Sequence, residues 1–238
     1  MRSLPDRPWN GLTVLDTFCC AGGMAMGYHL AGFKVVGVDI APQPNYPFTF
    51  VQGDAIEYIR AHGHEFDLVH GSPPCQAKSN LNAYNHKTYP ELIHPARDAM
   101  LTTGRPYVIE NVEPALSDLR DPITLCGPMF DLPMYRHRLF ETNWGLTAPA
   151  HPRHVALCTR NGYLPTPGRP FMSIHGGRHS RAWQNAACDA MGMPWIKVPE
   201  GGDIPLGIRE VCEAIPPAYA RFIGGRFAAS LTAADLAA

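Results

Sequence analysis

Short apolar runs recur through the first half of the chain, each closed by turn residues. "LTVLDTF" (12–18), "KVVGVDI" (34–40), "TFVQGD" (49–54), "EFDLVHG" (65–71) and "RPYVIENV" (105–112) read as strands. Helical segments fall between them. "AGGMAMGYHLAGF" (21–33) begins Gly-rich, turns helical and closes at Gly32. "DAIEYIRAHG" starts with Asp54 as an N-cap. "YPELIHPARDAMLTTG" (89–104) reads as mostly helical, with Pro95 expected to kink or split it. This alternation predicts an α/β fold with a mainly parallel sheet.

The pattern breaks after about residue 143. "TAPAHPRH" and "LPTPGRP" are proline-rich, and "IHGGRHS" is glycine-hinged. Regularity returns near "QNAACDAMGMPW" and in "GIREVCEAIPPAYARFIGGRFAASL", helical after its Pro-Pro. The expected organisation is one domain made of 1–142 and 188–238, interrupted by a small irregular insert at 143–187. No internal repeat or coiled coil is visible.

Charge sharpens the picture of the insert. The chain has 238 residues and a net charge of −1. From Met134 to Arg181 there are seven arginines, no lysine and one acid, so that segment carries +6 and the remainder −7. Five histidines lie there too. Arginine without lysine suits phosphates and base edges, which points to a nucleic-acid-facing patch. A solvated basic loop region is the plainer alternative. At 45% hydrophobic and 17% charged residues, the chain suits a single globular domain. No apolar stretch is long enough for a membrane span, and the N-terminus lacks the apolar core of a signal peptide. Seven cysteines without regular spacing fit a reducing compartment. A soluble, cytoplasmic protein is expected, with no membrane and no obligate protein partner evident.

Four local patterns carry chemistry. The Gly-rich turn after the first strand would let a ligand approach the backbone and face it with helix N–H groups, or is a purely structural tight turn. Asp39, ending the second strand, stands where nucleotide-type sites hold ribose hydroxyls, and Asp54 could reach an adenine edge. Second, Cys75 follows Gly71-Ser72-Pro73-Pro74 at a strand end, where two prolines stiffen the approach to a thiol; it is either a nucleophile or a packed cysteine. Third, Glu110 and Asn111 emerge from an apolar strand, where a carboxyl has its pKa raised and can act as an acid, or is satisfied by a backbone amide. Fourth, Arg136 and Arg138 share a face if extended and could clamp a phosphate or oxyanion, or simply be solvated. His151, His154 and Cys158 have spacings a metal could accept, but without CxxC or a clear fourth ligand no metal is expected.

The ordered set "DTFCCAGG", "VVGVD", "GD", "GSPPCQ", "ENV", "RHR" and "AIPPAYARFIGG" resembles the motifs of the DNA cytosine-5 methyltransferases. It covers roughly 12–142 and 188–227 and is similar to the short phage-type members. The resemblance implies a Rossmann-like class I methyltransferase fold, with 143–187 as a small target-recognition insert. It implies S-adenosylmethionine as methyl donor, leaving S-adenosylhomocysteine, and DNA as partner. The cofactor residues it implies are Phe18, Cys20, Ala21, Gly22, Gly23, Asp39, Ile40, Asp54, Ala55, Ser72, Pro74, Glu213 and Ala214. Gln76, Ser79, His175 and Arg178 would face the nucleic acid. Cys75 would add to C6 of a cytosine while Glu110 protonates or hydrogen-bonds N3. Arg138 and Arg136 would hold O2 and the nearby phosphate, and Asn111 the Cys75 loop. The chain departs from the family in Cys20 for a glycine, Met134 for a glutamine, Asp39 for the commoner Glu, and Cys212-Glu213 for Gly-Asn. Amino-group methyltransferases resemble the Pro-Pro stretch but carry an aromatic where Cys75 stands. Thymidylate synthases also carry Pro-Pro-Cys but lack the Gly-rich turn. Three readings stay beside the main one: an RNA substrate, a free nucleotide substrate, and an inactive nucleic-acid-binding homologue.

Overall fold

The computed structural model describes residues 4–74, 91–160, 162–177, 179–197 and 210–231. The chain runs β1 (Thr13–Thr17), α1 (Gly23–Leu30), β2 (Lys34–Asp39), β3 (Thr49–Gln52), α2 (Ala55–His62), β4 (Leu68–Gly71), α3 (Ile93–Thr102) and β5 (Tyr107–Asn111). Then follow β6 (Ile123–Leu125), β7 (Arg138–Thr142), α4 (Arg181–Met191) and α5 (Pro217–Ser230). The strands form one sheet in the order β3-β2-β1-β4-β5-β7-β6. The first five are parallel, and β7 runs antiparallel to both β5 and β6. The expected α/β architecture is therefore present, with an antiparallel hairpin at one edge.

Alternating residues of the strands feed two cores. Val14, Leu68, Val108 and Phe140 face α1 and α5, packing on Tyr28, Tyr219 and Ile223. Leu15, Val69, Ile109 and Leu139 face α2 and α3, packing on Ile59, Ala99 and Met100. Helices α1 and α5 approach closely because Gly27 has no side chain: a Cβ there would run into the Pro217 carbonyl oxygen. A third core gathers Ala21, Met134, Met172, Trp183, Met191, Met193 and Val211. Helix α4 crosses residue 187, so the boundary expected at 187/188 lies within a helix packed against both parts of the chain.

Pro95 neither kinks nor splits α3. It sits in the first turn, where the missing N–H has no intrahelical acceptor to lose. Of the segment expected to be helical, 89 and 90 lie outside the described residues.

One buried ion pair ties α3 to the hairpin. Arg97 donates to both oxygens of Glu141, through Nε at 2.7 Å and Nη2 at 2.6 Å. The same carboxylate accepts the Tyr107 hydroxyl at 2.9 Å and the Arg120 N–H at 2.8 Å. Burial alone would push Glu141 up, but these donors hold its carboxyl below the usual carboxylate range. Its contribution to stability is therefore present above the unfolded glutamate pKa of about 4.3 and lost as pH falls through the lower folded value. Arg97→Met, which strands this carboxylate, should cost about 3–5 kcal/mol in urea unfolding at neutral pH. The difference from wild type should shrink on acidification; a difference independent of pH would contradict the assignment.

Candidate active site

Strand order reverses between β1 and β4: β2 and β3 lie beyond β1, and β5 lies beyond β4. In open α/β sheets a ligand crevice opens at such a switch point, beyond the carboxyl ends of the strands. The turns following β1 and β4 both border it.

The turn after β1 keeps an unusual backbone. Phe18 (φ 56°) and Cys20 (φ 44°) are both left-handed, as is Gly22 (φ 82°), which caps α1. Cys20 thus holds a glycine-like conformation, at a cost of about 1–2 kcal/mol. Its N–H donates to Asp39 Oδ2 at 3.0 Å, which offsets part of that strain. Ala21 is buried, and its carbonyl accepts the Trp195 indole N–H at 2.9 Å. Gly23 lies against the Ile215 carbonyl, beside buried Ala214. Gly22 offers α1 no N-cap side chain, and with Asp16 turned to the Ala25 amide, the amides of Gly23 and Met24 suit a ligand carboxylate.

Asp39 and Ile40 end β2. Asp39 is largely committed inward, since Oδ1 also accepts the Ala41 N–H at 3.0 Å. Ile40 stands 73% exposed, an apolar surface at the crevice rim. Asp54 caps α2, and both cap bonds, from Ile56 and Glu57, end on Oδ1. Ala55 begins α2 and is buried. Glu213 faces solvent.

Beneath the turn lies a carboxyl that the strand pattern conceals. Asp16 is fully buried, accepts the Ala25 N–H and faces the Tyr46 hydroxyl. Burial first, and then the nearby Asp39 charge, push its carboxyl well up. Tyr46 reaches it by lying across β2 at Gly37, where any side chain would collide with the ring. The sequence signal for Asp16 is an acid inside an otherwise apolar strand.

The turn after β4 meets the end of β5. Asn111 Nδ2 donates to the Pro73 carbonyl at 3.0 Å, holding the Pro73-Pro74 approach against β5. Glu110 is 5% exposed, and its Oε1 lies 3.2 Å from Arg138 Nε. Burial raises its pKa although Arg138 and a Ser72 hydrogen bond oppose the shift. Ser72 belongs to a buried chain: Tyr28 hydroxyl to His70 Nδ1 at 3.1 Å, and His70 Nε2 to Ser72 Oγ at 3.1 Å. Burial pushes His70 down to about 3, so the ring is neutral, with one donor and one acceptor nitrogen. Both measured bonds are satisfied when Tyr28 donates to His70 and His70 to Ser72, which leaves the Ser72 hydroxyl proton for the Glu110 side. Tyr28 and His70 have no motif signature; only their alignment on one face of the fold joins them to the site.

Arg136 and Arg138 do not form one clamp. Arg138 begins β7 and points at Glu110, whereas Arg136 precedes the strand. Its Nη2 donates to the Cys212 carbonyl at 2.6 Å and its Nη1 to Ile174 at 3.5 Å. Arg136 thus fastens segments 172–175 and 210–213 together rather than presenting a free guanidinium. His175 is exposed, with Nδ1 3.4 Å from Ser173 Oγ. Cys75, Gln76, Ser79 and Arg178 lie outside the described residues. Away from the crevice, Cys126, His137, His151 and His154 bring metal-ligating atoms together.

No protein-family model matches the chain, and no curated protein matches its sequence. Solved structures do resemble it. The S. pombe Dnmt2 methyltransferase superposes with a TM-score of 0.59 at 12% identity, covering 92% of this chain and 97% of that one. The Entamoeba histolytica methyltransferase EhMeth gives 0.58 at 13% identity, covering 92% and 97%. A prophage-encoded E. coli protein described as a DNA modification methyltransferase gives 0.56 at 14% identity, covering 91% and 98%. The fold is a Rossmann-like methyltransferase fold. No helix among the described residues is long and apolar enough to cross a membrane.

Ser72→Ala tests the hydrogen-bond chain. Removing a donor to the charged form should raise the Glu110 pKa further, read from the titration of its carboxyl carbon by NMR. A lowered or unchanged pKa would show that Ser72 does not donate to Glu110.

Proposed function

We propose that the protein is a DNA (cytosine-5-)-methyltransferase that uses S-adenosylmethionine. The observation that carries this reading is the buried Glu110, paired with Arg138 and linked to Ser72, beside the Asn111–Pro73 bond that steadies the approach to Cys75. A nucleophile and an acid on adjacent strand ends suit attack on one face of a pyrimidine ring.

The cofactor fits the crevice by the chemistry of its donors. The α1 N-terminus, which has no N-cap side chain, suits the methionine carboxylate, exposed Ile40 an adenine face, and Asp54 an adenine edge. Asp39 retains lone pairs for ribose hydroxyls, although both its oxygens already accept backbone amides. When bound, S-adenosylmethionine supplies the methyl group that C5 takes.

The remaining steps belong to side chains of this protein. Cytosine C5 is a poor nucleophile. The Cys75 thiolate adds to C6 and breaks the aromaticity of the ring. Glu110, its pKa raised by burial, holds a proton for N3 and draws electron density so that C5 reacts as an enamine. Arg138 keeps Glu110 in place and carries positive charge toward O2. Loss of the C5 proton and expulsion of the thiolate restore the ring. Because C5 and C6 are stacked in duplex DNA, the base must be flipped out or the substrate single-stranded.

The arm between 151 and 171 supports a polymeric substrate. Arg153, Arg160 and Arg169 are exposed, as is Tyr163 at 66%. Arginines interleaved with an aromatic suit phosphates and an unstacked base.

Incubation of DNA with methyl-labelled S-adenosylmethionine should yield 5-methylcytosine on nucleoside analysis. Cys75→Ala should abolish transfer and retain cofactor binding. Glu110→Gln should lower kcat by about 10²–10⁴-fold. Wild-type transfer should fall on the alkaline side, as Glu110 loses its proton. Retained turnover in Cys75→Ala would sink the mechanism, and label appearing only on RNA or a nucleotide would sink the DNA assignment.

A further inference from the structure

We propose that Cys126, His137, His151 and His154 bind one zinc ion, which pins the foot of the basic arm to the β6–β7 edge of the sheet. One ligand atom from each residue lies within 4.8 Å of all the others. His137 Nε2 is 3.0 Å from His151 Nε2, and Cys126 Sγ is 3.4 Å from His154 Nε2. Tetrahedral zinc with ordinary bond lengths would set these edges at about 3.3 Å for N···N and about 3.6 Å for S···N. These two edges thus already match those a bound ion would set, and the remaining ones lie within 4.8 Å.

The fold brings these residues together from three directions. Leu125 pairs with Arg138 in the β6–β7 ladder, so Cys126 and His137 are the next positions along the two strands. His151 and His154 follow from the start of the insert, three residues apart across Pro152. Tyr135 holds the second of them: its ring stacks on His154 at 3.7 Å, its hydroxyl donates to the Ala156 carbonyl at 3.0 Å, and it accepts the Ala156 N–H at 2.8 Å.

The surroundings match those of metal ligands. The Nδ1 of His137 lies 3.4 Å from Glu113 Oε2, leaving Nε2 for the ion, as in carboxylate–histidine–zinc arrangements. Without an ion, three imidazole nitrogens and a thiol converge where one N–H···N bond and one S···N contact satisfy only part of them. Three imidazole nitrogens and one thiolate are a donor set that suits zinc. With four protein ligands the site is closed, which assigns it a structural role.

Two consequences follow from its position. His137 lies between Arg136 and Arg138, so the ion would fix the backbone that aims Arg138 at Glu110. His151 and His154 anchor the arm that carries Arg153, Arg160 and Arg169. Cys158, the cysteine that sequence spacing suggests, is elsewhere: it bridges to Phe171, and its carbonyl accepts Arg169.

The test uses the full chain, purified without a polyhistidine tag, dialysed against zinc and then desalted. Elemental analysis should find about one zinc per chain, with His151→Ala and Cys126→Ser each reducing it at least tenfold. His151 is exposed, so its variant should keep the wild-type circular dichroism. Cobalt substitution should give the intense visible bands of a tetrahedral site, with a sulfur charge-transfer band that Cys126→Ser removes. Glu113→Gln should retain binding but weaken it about 10–100-fold. Wild-type protein that takes up no zinc, or His151→Ala protein that binds it as tightly as wild type, would overturn the proposal.

Discussion

Within the sheet, the Glu141 carboxylate collects two hydrogen bonds from Arg97, one from Tyr107 and one from the Arg120 amide. That bonding fixes the register of β7 on β5, and the register decides what the other face of the sheet presents. Glu110 pairs with Phe140, so Arg138, two residues earlier, falls on the same face as Glu110. A slip of one residue would bury Arg138 among the α2–α3 core and leave Glu110 without its counterion. The polar network on one face therefore sets the chemistry available on the other.

A second constraint acts at the crevice. The turn after β1 holds two non-glycine residues in left-handed conformation, and Asp39 is spent partly on stabilising it. Close packing of α1 on α5 at Gly27, and of Gly23 on Ile215, fixes where that turn stands. Burial first, and then the charge of Asp39, raise the pKa of the Asp16 carboxyl below it. Shape and electrostatics at this end of the sheet are consequently one problem: a helix terminus without an N-cap side chain, set over buried carboxyls.

The parallel strands and their helices were legible because each is a short apolar run between turn residues. Glu110 was legible as an acid at the mouth of an apolar strand, and its raised pKa follows from burial. Pro95 was misjudged because a sequence does not say which turn of a helix a proline occupies. Arg136 and Arg138 look equivalent two residues apart, but β7 begins between them and only tertiary contacts assign Arg136 to the Cys212 and Ile174 carbonyls. Asp16, Tyr28 and His70 lie in separate elements and meet only across the sheet face. The Cys126 and His137 pairing was hidden for the same reason: it depends on an antiparallel register between segments separated by an irregular loop.

The central claim is that Cys75 attacks a cytosine ring held by Glu110. An oligonucleotide containing 5-fluorocytosine tests it directly, because fluorine at C5 cannot leave as a proton does and the adduct persists. With S-adenosylmethionine present, mass spectrometry of the digested protein should find the modified base, with its added methyl group, attached to the peptide bearing Cys75. Attachment at another cysteine, or unhindered turnover of the fluorinated DNA without any adduct, would contradict the account.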